Sequence, residues 1–321
     1  MTKSALITGI SGQDGSYLAE HLLAKGYRVT GTVQDAARPR PGYFSRIVDR
    51  IELHQLDVRD RQGLRDLLHH VSPAEVYHLA AQSRVGASWD DPVGTADVTA
   101  SGALYLLAAV RESAPNARVL VAGSCEVYGH ATQVPQDERT PLQPTSPYGV
   151  AKAFAQGMTR LYRDQYGVHA STAILFNHES PRRARQFVSQ KIASGAVAVA
   201  KGTQKELRLG NTQVVRDWGF AGDYVDAMWR MVQADSPADL VVGTGVGHSV
   251  WELCQVAFQA VGLVAEEHVT IDAQLVRQDD APALVANPAM ARARLQWSPT
   301  VDFHALVRML VAAAQDPSSS A

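Results

Sequence analysis

The stretch Ser4-Ala5-Leu6-Ile7-Thr8-Gly9-Ile10-Ser11-Gly12-Gln13-Asp14-Gly15 decides the fold. Ser4–Thr8 is a short apolar run stopped by Gly9, the pattern of a strand buried in a parallel sheet. Gly9, Gly12 and Gly15 then recur every three residues ahead of an amphipathic segment, Tyr17–Lys25, read as a helix. Strand, glycines, helix is the order that a dinucleotide's pyrophosphate requires. Glycine lets the backbone turn tightly and approach the phosphates, while the helix N-terminus offers free N–H groups at the positive end of its dipole. A glycine-rich turn without a ligand is the alternative, and the strand before and helix after favour the dinucleotide.

Further strands are expected at Arg28–Val33, Ile51–Leu56, Glu75–Ala81, Arg118–Ala122 and His169–Leu175, with helices at Arg61–His70 and Asp91–Ser113 among them. That alternation gives an α/β fold, a Rossmann-type doubly wound parallel sheet whose ligands sit outside the C-terminal strand ends. Regularity fades after His169–Leu175. Residues 1–176 are therefore assigned to a dinucleotide-binding domain and 177–321 to a smaller α/β substrate lobe, with 220–245 returning to the sheet. Helices at Ser249–Val261 and Phe303–Ala314 belong to that lobe, and the Ser-rich tail at 318–320 is expected to be disordered.

With 321 residues, 46% hydrophobic and 19% charged, the chain has the composition of an ordinary globular protein with a substantial core. A net charge of −2 gives no electrostatic reason to expect nucleic acid or an anionic membrane as partner. Cys125 and Cys254 lie far apart, without disulfide or zinc spacing, and no metal is expected. The N-terminal apolar run is too short for a signal peptide, and no apolar stretch is read as a membrane span. A cytoplasmic enzyme is the expectation.

Several residues at expected strand ends carry chemistry. Asp35 falls about 20 residues past Gly15, where a carboxylate reaches the adenosine ribose hydroxyls. Its charge repels a 2′-phosphate, so NAD is preferred over NADP, unless Arg38 and Arg40 fold back and reverse the preference. Asp57, followed by Val58, either caps the next helix, the commoner role, or contacts the adenine. Gln82-Ser83 and Ser124-Cys125-Glu126 follow strands and face the expected crevice.

Tyr148 and Lys152 stand four residues apart in Ser146-Pro147-Tyr148-Gly149-Val150-Ala151-Lys152, so on a helix both project from one face. A lysine ammonium beside a phenol favours phenolate, a base able to take a proton from a sugar hydroxyl. The Ser124 hydroxyl is placed to bond the same oxygen, and Glu126, partly desolvated at the crevice mouth, is a candidate base for a carbon acid. Cys125 is either a small buried filler or part of this chemistry. Ser146 and Pro147 start the helix, and Val150, Phe154, Met158 and Leu161 give it an apolar stripe for the core or a partner subunit. The long loop 129–146 could close over the site. His178 reads as a structural hydrogen bonder. Of the basic set Arg182, Arg183, Arg185, Lys191 and Arg216, one or two would suit a sugar diphosphate.

Taken together, Gly9-x-x-Gly12-x-x-Gly15, Ser124 and Tyr148-x-x-x-Lys152 resemble the extended short-chain dehydrogenase/reductase family acting on nucleotide sugars. More narrowly, the chain is similar to the GDP-mannose 4,6-dehydratases. That likeness rests on Thr8–Leu18, Leu79-Ala80-Ala81-Gln82-Ser83, Ser146–Gly149, Leu175-Phe176-Asn177-His178-Glu179-Ser180-Pro181 and Arg216-Asp217-Trp218-Gly219. The resemblance implies that Gln13, Asp14, Leu79, Ala80, Ala81 and Ser83 contact the cofactor. It also implies that Asn177, Lys191, Arg216 and Arg277 hold the nucleotide diphosphate, with Ser83 and Glu179 among the substrate contacts. A homodimer, or a homotetramer, is the implied assembly.

Three departures stand out. Gln34-Asp35-Ala36-Ala37 replaces the family's adjacent arginines for an NADP 2′-phosphate, which supports NAD and removes a segment that helps build the family's tetramer. Ser124-Cys125-Glu126 stands where the family reads Thr-Ser-Glu, putting Cys125 beside the leaving C6 hydroxyl. Arg277-Gln278-Asp279-Asp280-Ala281-Pro282 departs from Arg-Pro-x-Glu-Val-Asp and leaves the nucleotide base open. The implied activity is a nucleotide-sugar 4,6-dehydratase with GDP-mannose the leading substrate. A 4-epimerase, a 4-keto-reductase and a dehydratase stopping at a 5,6-alkene are the alternatives. A cofactor-binding protein without catalysis is a further one, against which the Ser124, Tyr148 and Lys152 set speaks.

Overall fold

The computed structural model describes residues 2–35, 42–276, 281 and 283–316. Arg38, Arg40, Ala36, Ala37, Arg277 and the 318–320 tail lie outside the described residues. In chain order the first half comprises β1 (Ser4–Thr8), α1 (Gln13–Ala24), β2 (Arg28–Val33), α2 (Ser45–Val48), β3 (Glu52–Gln55), α3 (Arg61–Val71) and β4 (Glu75–His78). It continues with α4 (Val85–Asp90), α5 (Pro92–Ala96), α6 (Gly102–Ser113), β5 (Arg118–Ala122), α7 (Pro147–Tyr166) and β6 (Ala170–Leu175). The rest holds β7 (Asn177–Glu179), α8 (Val188–Ala200), β8 (Leu207–Leu209), β9 (Val215–Phe220), α9 (Ala221–Gln233) and β10 (Leu240–Val242). Last come β11 (Gly247–Ser249), α10 (Val250–Gln259), β12 (Val269–Ile271), β13 (Ala283–Leu284), α11 (Ala289–Leu295) and α12 (Phe303–Gln315).

Among the described residues the central sheet has seven strands in the order β10-β6-β5-β4-β1-β2-β3, all paired parallel. Side-chain alternation sends Ala5 and Ile7 to the layer under α1 and α9, and Leu6 to the layer under α3 and α6. Both faces are therefore buried, which is why these strands read as continuous apolar runs. The order reverses between β1 and β4, and a crevice opens there at the C-terminal strand ends. The second lobe is a small sheet ordered β11-β9-β13, with β7 on β9 and a separate β8–β12 pair. Its core lies among α8, α10 and α12, where Ile192, Phe258 and Leu306 are buried.

Several expected boundaries move for identifiable reasons. α1 begins at Gln13 rather than Tyr17, because Gly12, extended at φ −73° and ψ 173°, delivers the chain straight into a helix. β4 ends at His78 instead of Ala81, since Leu79, Ala80 and Ala81 leave the sheet to line the crevice. The expected helix Asp91–Ser113 is a continuous helical run, Pro92–Ser113, capped by Asp91 and loosened to π geometry at Asp97–Ser101. By length and composition that run could cross a membrane, contrary to the sequence reading. Here it is a core helix, with Ala103, Leu106, Leu107 and Val110 buried against α3 and the sheet.

The loop 129–146 does not close over the site. Gln136, fully buried, accepts from Val285 N–H at 2.9 Å on its Oε1 and donates its own N–H to the Val285 carbonyl at 2.8 Å. Glu138 accepts from Val241 N–H at 2.9 Å. These bonds stitch the loop to β10 and the 283–287 segment, away from the crevice.

Asp217 is the hub of the second lobe. It is fully buried and accepts from Thr244 N–H at 2.8 Å, Thr244 Oγ1 at 2.7 Å, Gly245 N–H at 2.8 Å and Ala286 N–H at 3.1 Å. One carboxylate thus holds β9, the turn before β11 and the end of β13 together. Asp217→Ala is expected to cost about 3 kcal/mol or more in unfolding free energy, because three buried N–H groups lose their acceptor. Urea unfolding followed by circular dichroism checks this; a loss below about 0.5 kcal/mol would mean the segments are held by other contacts.

Candidate active site

The site begins with Gly9. Its φ of +73° is a left-handed conformation that a side chain would strain, and a Cβ there would meet Ala80 N at 2.9 Å. At Gly15 a Cβ would come within 2.5 Å of the Gly9 carbonyl, so α1 packs against the loop only through a hydrogen. Gly12 caps α1 without a side-chain hydrogen bond, leaving the first N–H groups facing the crevice. The crevice is about 1540 Å³, beyond the usual range for one small ligand, about 300–1,000 Å³, and large enough for two. Every sequence-predicted site residue among the described ones lines it, apart from Arg185 of the basic set. A dinucleotide fits the half built from the glycine loop, with the exposed Asp35 and with Asp57, Val58 and Ala81 farther along.

Asp57 does not cap α3. Asp60 does, accepting from Gly63 N–H at 3.0 Å, because it stands one residue before the helix. Asp57 instead pairs with Arg59 at 2.6 Å and accepts from Gln34 Nε2 at 3.0 Å; the Arg59 bonds hold its carboxyl down to about 2.

The reacting end is built on α7 and the β5 exit. Ser146 caps α7 by accepting from Gly149 N–H at 3.0 Å, and Pro147 occupies the first turn. One turn of helix then aims Tyr148 and Lys152 at the crevice, both buried. Burial pushes the Tyr148 phenol above its ordinary range, a hydrogen bond with Ser124 opposes this, and the Glu126 charge adds to it. Ser124, Glu126 and Tyr148 are thus close enough to sense one another. The expected phenol–ammonium partnership is corrected in one respect. Lys152 Nζ lies 5.8 Å from the Tyr148 ring centroid and donates to the Ala122 carbonyl at 2.6 Å, and burial brings the lysine down to about 8. Cys125 is buried, its thiol pushed up by burial, and it donates to Asn177 Oδ1 at 3.9 Å. That is the setting of a neutral weak donor, not of a thiolate nucleophile.

The half of the crevice away from the glycine loop is lined by Asn177, Glu179, Lys191 and Arg216. Glu179 is already engaged by the protein, accepting from Ser189 Oγ at 2.5 Å and pairing with Arg183 at 3.2 Å. Arg216 donates to the Val215 and Ala281 carbonyls at 2.9 and 2.8 Å, which fixes its guanidinium at the crevice wall. Lys191, on α8, is exposed. Tyr43, whose hydroxyl donates to the Ser11 carbonyl at 3.3 Å, and Asn211 also line the crevice. Neither sits in a periodic pattern that sequence could have flagged. His178 is the hydrogen bonder expected of it, bonding Asp14 Oδ2 at 2.9 Å and the Phe176 carbonyl at 2.7 Å while stacked 4.8 Å from Tyr224. With Ser180 donating to Gln13 Oε1 at 2.8 Å, it ties the glycine loop to the second lobe. Among the described residues no group of three or more His, Cys, Asp or Glu side chains is placed to hold a metal.

The family model for GDP-mannose 4,6 dehydratase matches residues 6–310, which span both lobes and the whole crevice. The chain belongs to that family. The Arabidopsis thaliana protein named GDP-mannose 4,6 dehydratase 1 is 46% identical, covering 96% of this chain and 89% of its own length. The Homo sapiens GDP-mannose 4,6 dehydratase is 39% identical over 96% and 90%. Among solved structures, the Thermus thermophilus UDP-glucose 4-epimerase complex with NAD superposes with a TM-score of 0.86 at 27% identity, covering 98% of this chain and 99% of that one. This GDP-mannose 4,6-dehydratase family member therefore shares its Rossmann architecture with both dehydratases and epimerases.

The Asp14–His178 pair makes stability pH-dependent. Burial alone would lower His178, but the Asp14 charge and hydrogen bond outweigh it and raise the imidazole above 6.5; burial also opposes the lowering of Asp14 below 3.8. A raised histidine contributes stability in full below its unfolded value and loses it as pH rises through the folded one. The lowered aspartate contributes above its unfolded value and loses it as pH falls through the folded one. The thermal midpoint should thus decline from the mildly acidic range as pH rises past His178, and His178→Gln should flatten that decline. Unfolding scans across the neutral range test this; an unchanged slope in the variant contradicts it.

Proposed function

We propose that this chain is a nucleotide-sugar 4,6-dehydratase that converts GDP-mannose to GDP-4-keto-6-deoxymannose. The observation that carries the reading is the meeting of Ser124, Glu126, Tyr148 and Lys152 at one wall of the crevice that begins at the glycine loop. When bound, the oxidised nicotinamide cofactor supplies the hydride acceptor and later donor, with a positive charge that favours phenolate at Tyr148. Tyr148, hydrogen-bonded by Ser124, takes the proton from the C4 hydroxyl as C4 becomes a ketone. Lys152 adds a buried positive charge behind the phenol. The ketone acidifies the C5 proton, Glu126 removes it, and the C6 hydroxyl leaves as water. Reduction at C6 completes a redox-neutral cycle. A plain 4-epimerase would need no base for C5, so Glu126 favours the dehydratase.

Asn177, Lys191 and Arg216 are the proposed diphosphate contacts. NAD is the preferred cofactor on this reading, because Asp35 sets a carboxylate where NADP would carry a phosphate. The assembly we propose is a homodimer. Val150, Phe154 and Leu161 are 55, 44 and 47% exposed along α7, while Met158 of the same stripe packs against the core, so those three are available to a second copy.

Protein loaded with NAD and given GDP-mannose should yield a product lighter by one water with no net change in cofactor absorbance. Glu126→Gln should lower kcat by about 10²–10⁴-fold with the substrate Kd little changed. Stoichiometric conversion of NAD to NADH, or a Glu126→Gln variant of full activity, would contradict the dehydratase reading.

A further inference from the structure

His78 closes β4 beneath the site and outside the crevice lining. Two residues before it, Val76 is buried in the layer packed by α3 and α6, so strand alternation sends His78 to that same face. Lys152 reaches this layer from α7, ending on the Ala122 carbonyl. Val121, the residue before Ala122, is the parallel partner of His78. Imidazole and ammonium therefore lie in the same buried layer, one residue apart in register along β5. Burial, with the Lys152 charge second, drives His78 down to about 3.

His78 is 3% exposed, and its Nδ1 lies 2.8 Å from Thr8 Oγ1. Its Nε2 is buried with no hydrogen-bond partner among the described residues. Native interiors rarely leave such an atom unpaired without a reason. An ammonium has three N–H donors, and one of those on Lys152 is used by Ala122. An imidazole protonated at Nε2 would set a donor against a donor. The other tautomer presents a bare lone pair instead.

We propose that His78 carries its proton on Nδ1, donating it to Thr8 Oγ1, and offers Nε2 as acceptor to the Lys152 ammonium across one buried water. His78 is then a positioning residue for the Tyr148–Lys152 pair. Its effect on turnover rests on that pair being the reacting one, as the proposed function has it; its hydrogen bond does not. The charged and titratable groups facing Lys152 are Asp14 from α1, Tyr148 from its own helix and His78 from β4. Asp14 and the His78 lone pair both favour the ammonium, so removing the lone pair lets Lys152 lose its proton at lower pH.

The bond is read without substrate, by long-range proton–nitrogen NMR of protein labelled with ¹⁵N-histidine, the His78 signals being assigned from a His78→Gln variant. The expected spectrum shows Nδ1 protonated and Nε2 bare throughout the neutral range, with the Nε2 signal shifted in Lys152→Met. An Nε2–H tautomer, or an Nε2 signal indifferent to Lys152→Met, overturns the proposal even if the proposed reaction is confirmed. With turnover in hand, His78→Leu should move the alkaline limb of the kcat profile down by about one pH unit, the worth of a hydrogen bond to a charge. His78→Gln, whose amide oxygen can accept, should restore it. A folded His78→Leu protein that loses rate equally at every pH would reduce His78 to a packing role and overturn the proposal.

Discussion

The backbone contact between Gly9 and Ala80 is the constraint on which the rest of this structure depends. It occurs where the strand order reverses, and it is closer than any side chain at residue 9 would permit. Because β1 and β4 can release their chains side by side there, the helix of the first unit starts at once and turns its unsatisfied N–H groups to the crevice. The residues after β4 and β5 then fall along one wall. Tyr148 and Lys152 arrive on α7, whose start is fixed by a serine cap and a proline. No single element makes the site; the sheet brings its parts to one edge.

The second lobe is joined to the first unit by directional polar bonds as well as by shared apolar packing, in which Val127 and Phe176 meet Leu284 and Ala286. Asp14 with His178, Gln13 with Ser180, and Arg182 with Glu20 at 2.7 Å all join the first helical unit to the segment after β6. Within the lobe, Asp217 performs the same service for β9. These buried bonds are directional, so they set where Asn177 and Arg216 stand relative to the cofactor half. The cost is burial of charge, which raises the Asp217 carboxyl and, at His178, works against the rise that Asp14 produces.

Much of this was legible in the sequence, and the parts that were not share a physical cause. β1, β2 and β5 were read with the bounds observed, because strands buried on both faces are short apolar runs between turn residues. The glycine loop, Ser146 as cap, and the Tyr148–Lys152 spacing were legible because each is a local pattern with a local mechanism. The short strands of the second lobe were missed. Their pairing partners are distant, and three-residue strands such as β7 and β11 have no period to detect. Of the two roles open to Asp57, the cap falls to Asp60, which competes within the same turn, and Asp57 lines the crevice. Spacing along a helix puts Tyr148 and Lys152 on one face but does not reveal where the lysine ends, which here is the Ala122 carbonyl. The length of the loop 129–146 suggested that it could close over the site, whereas its bonds run to β10 and the 283–287 segment.

Burial governs the chemistry of the reacting wall. It raises the phenol, lowers the lysine and keeps the Cys125 thiol protonated. Proton transfer there is consequently tied to the arrival of charge with the ligands, which suits a reaction whose electrons return to the substrate at every turnover. The most direct measurement is to supply GDP-mannose deuterated at C4 and locate the label in the product. The account predicts deuterium at C6 of the 4-keto-6-deoxy sugar. Label lost to solvent or accumulated on free reduced cofactor, with C6 unlabelled, would contradict it.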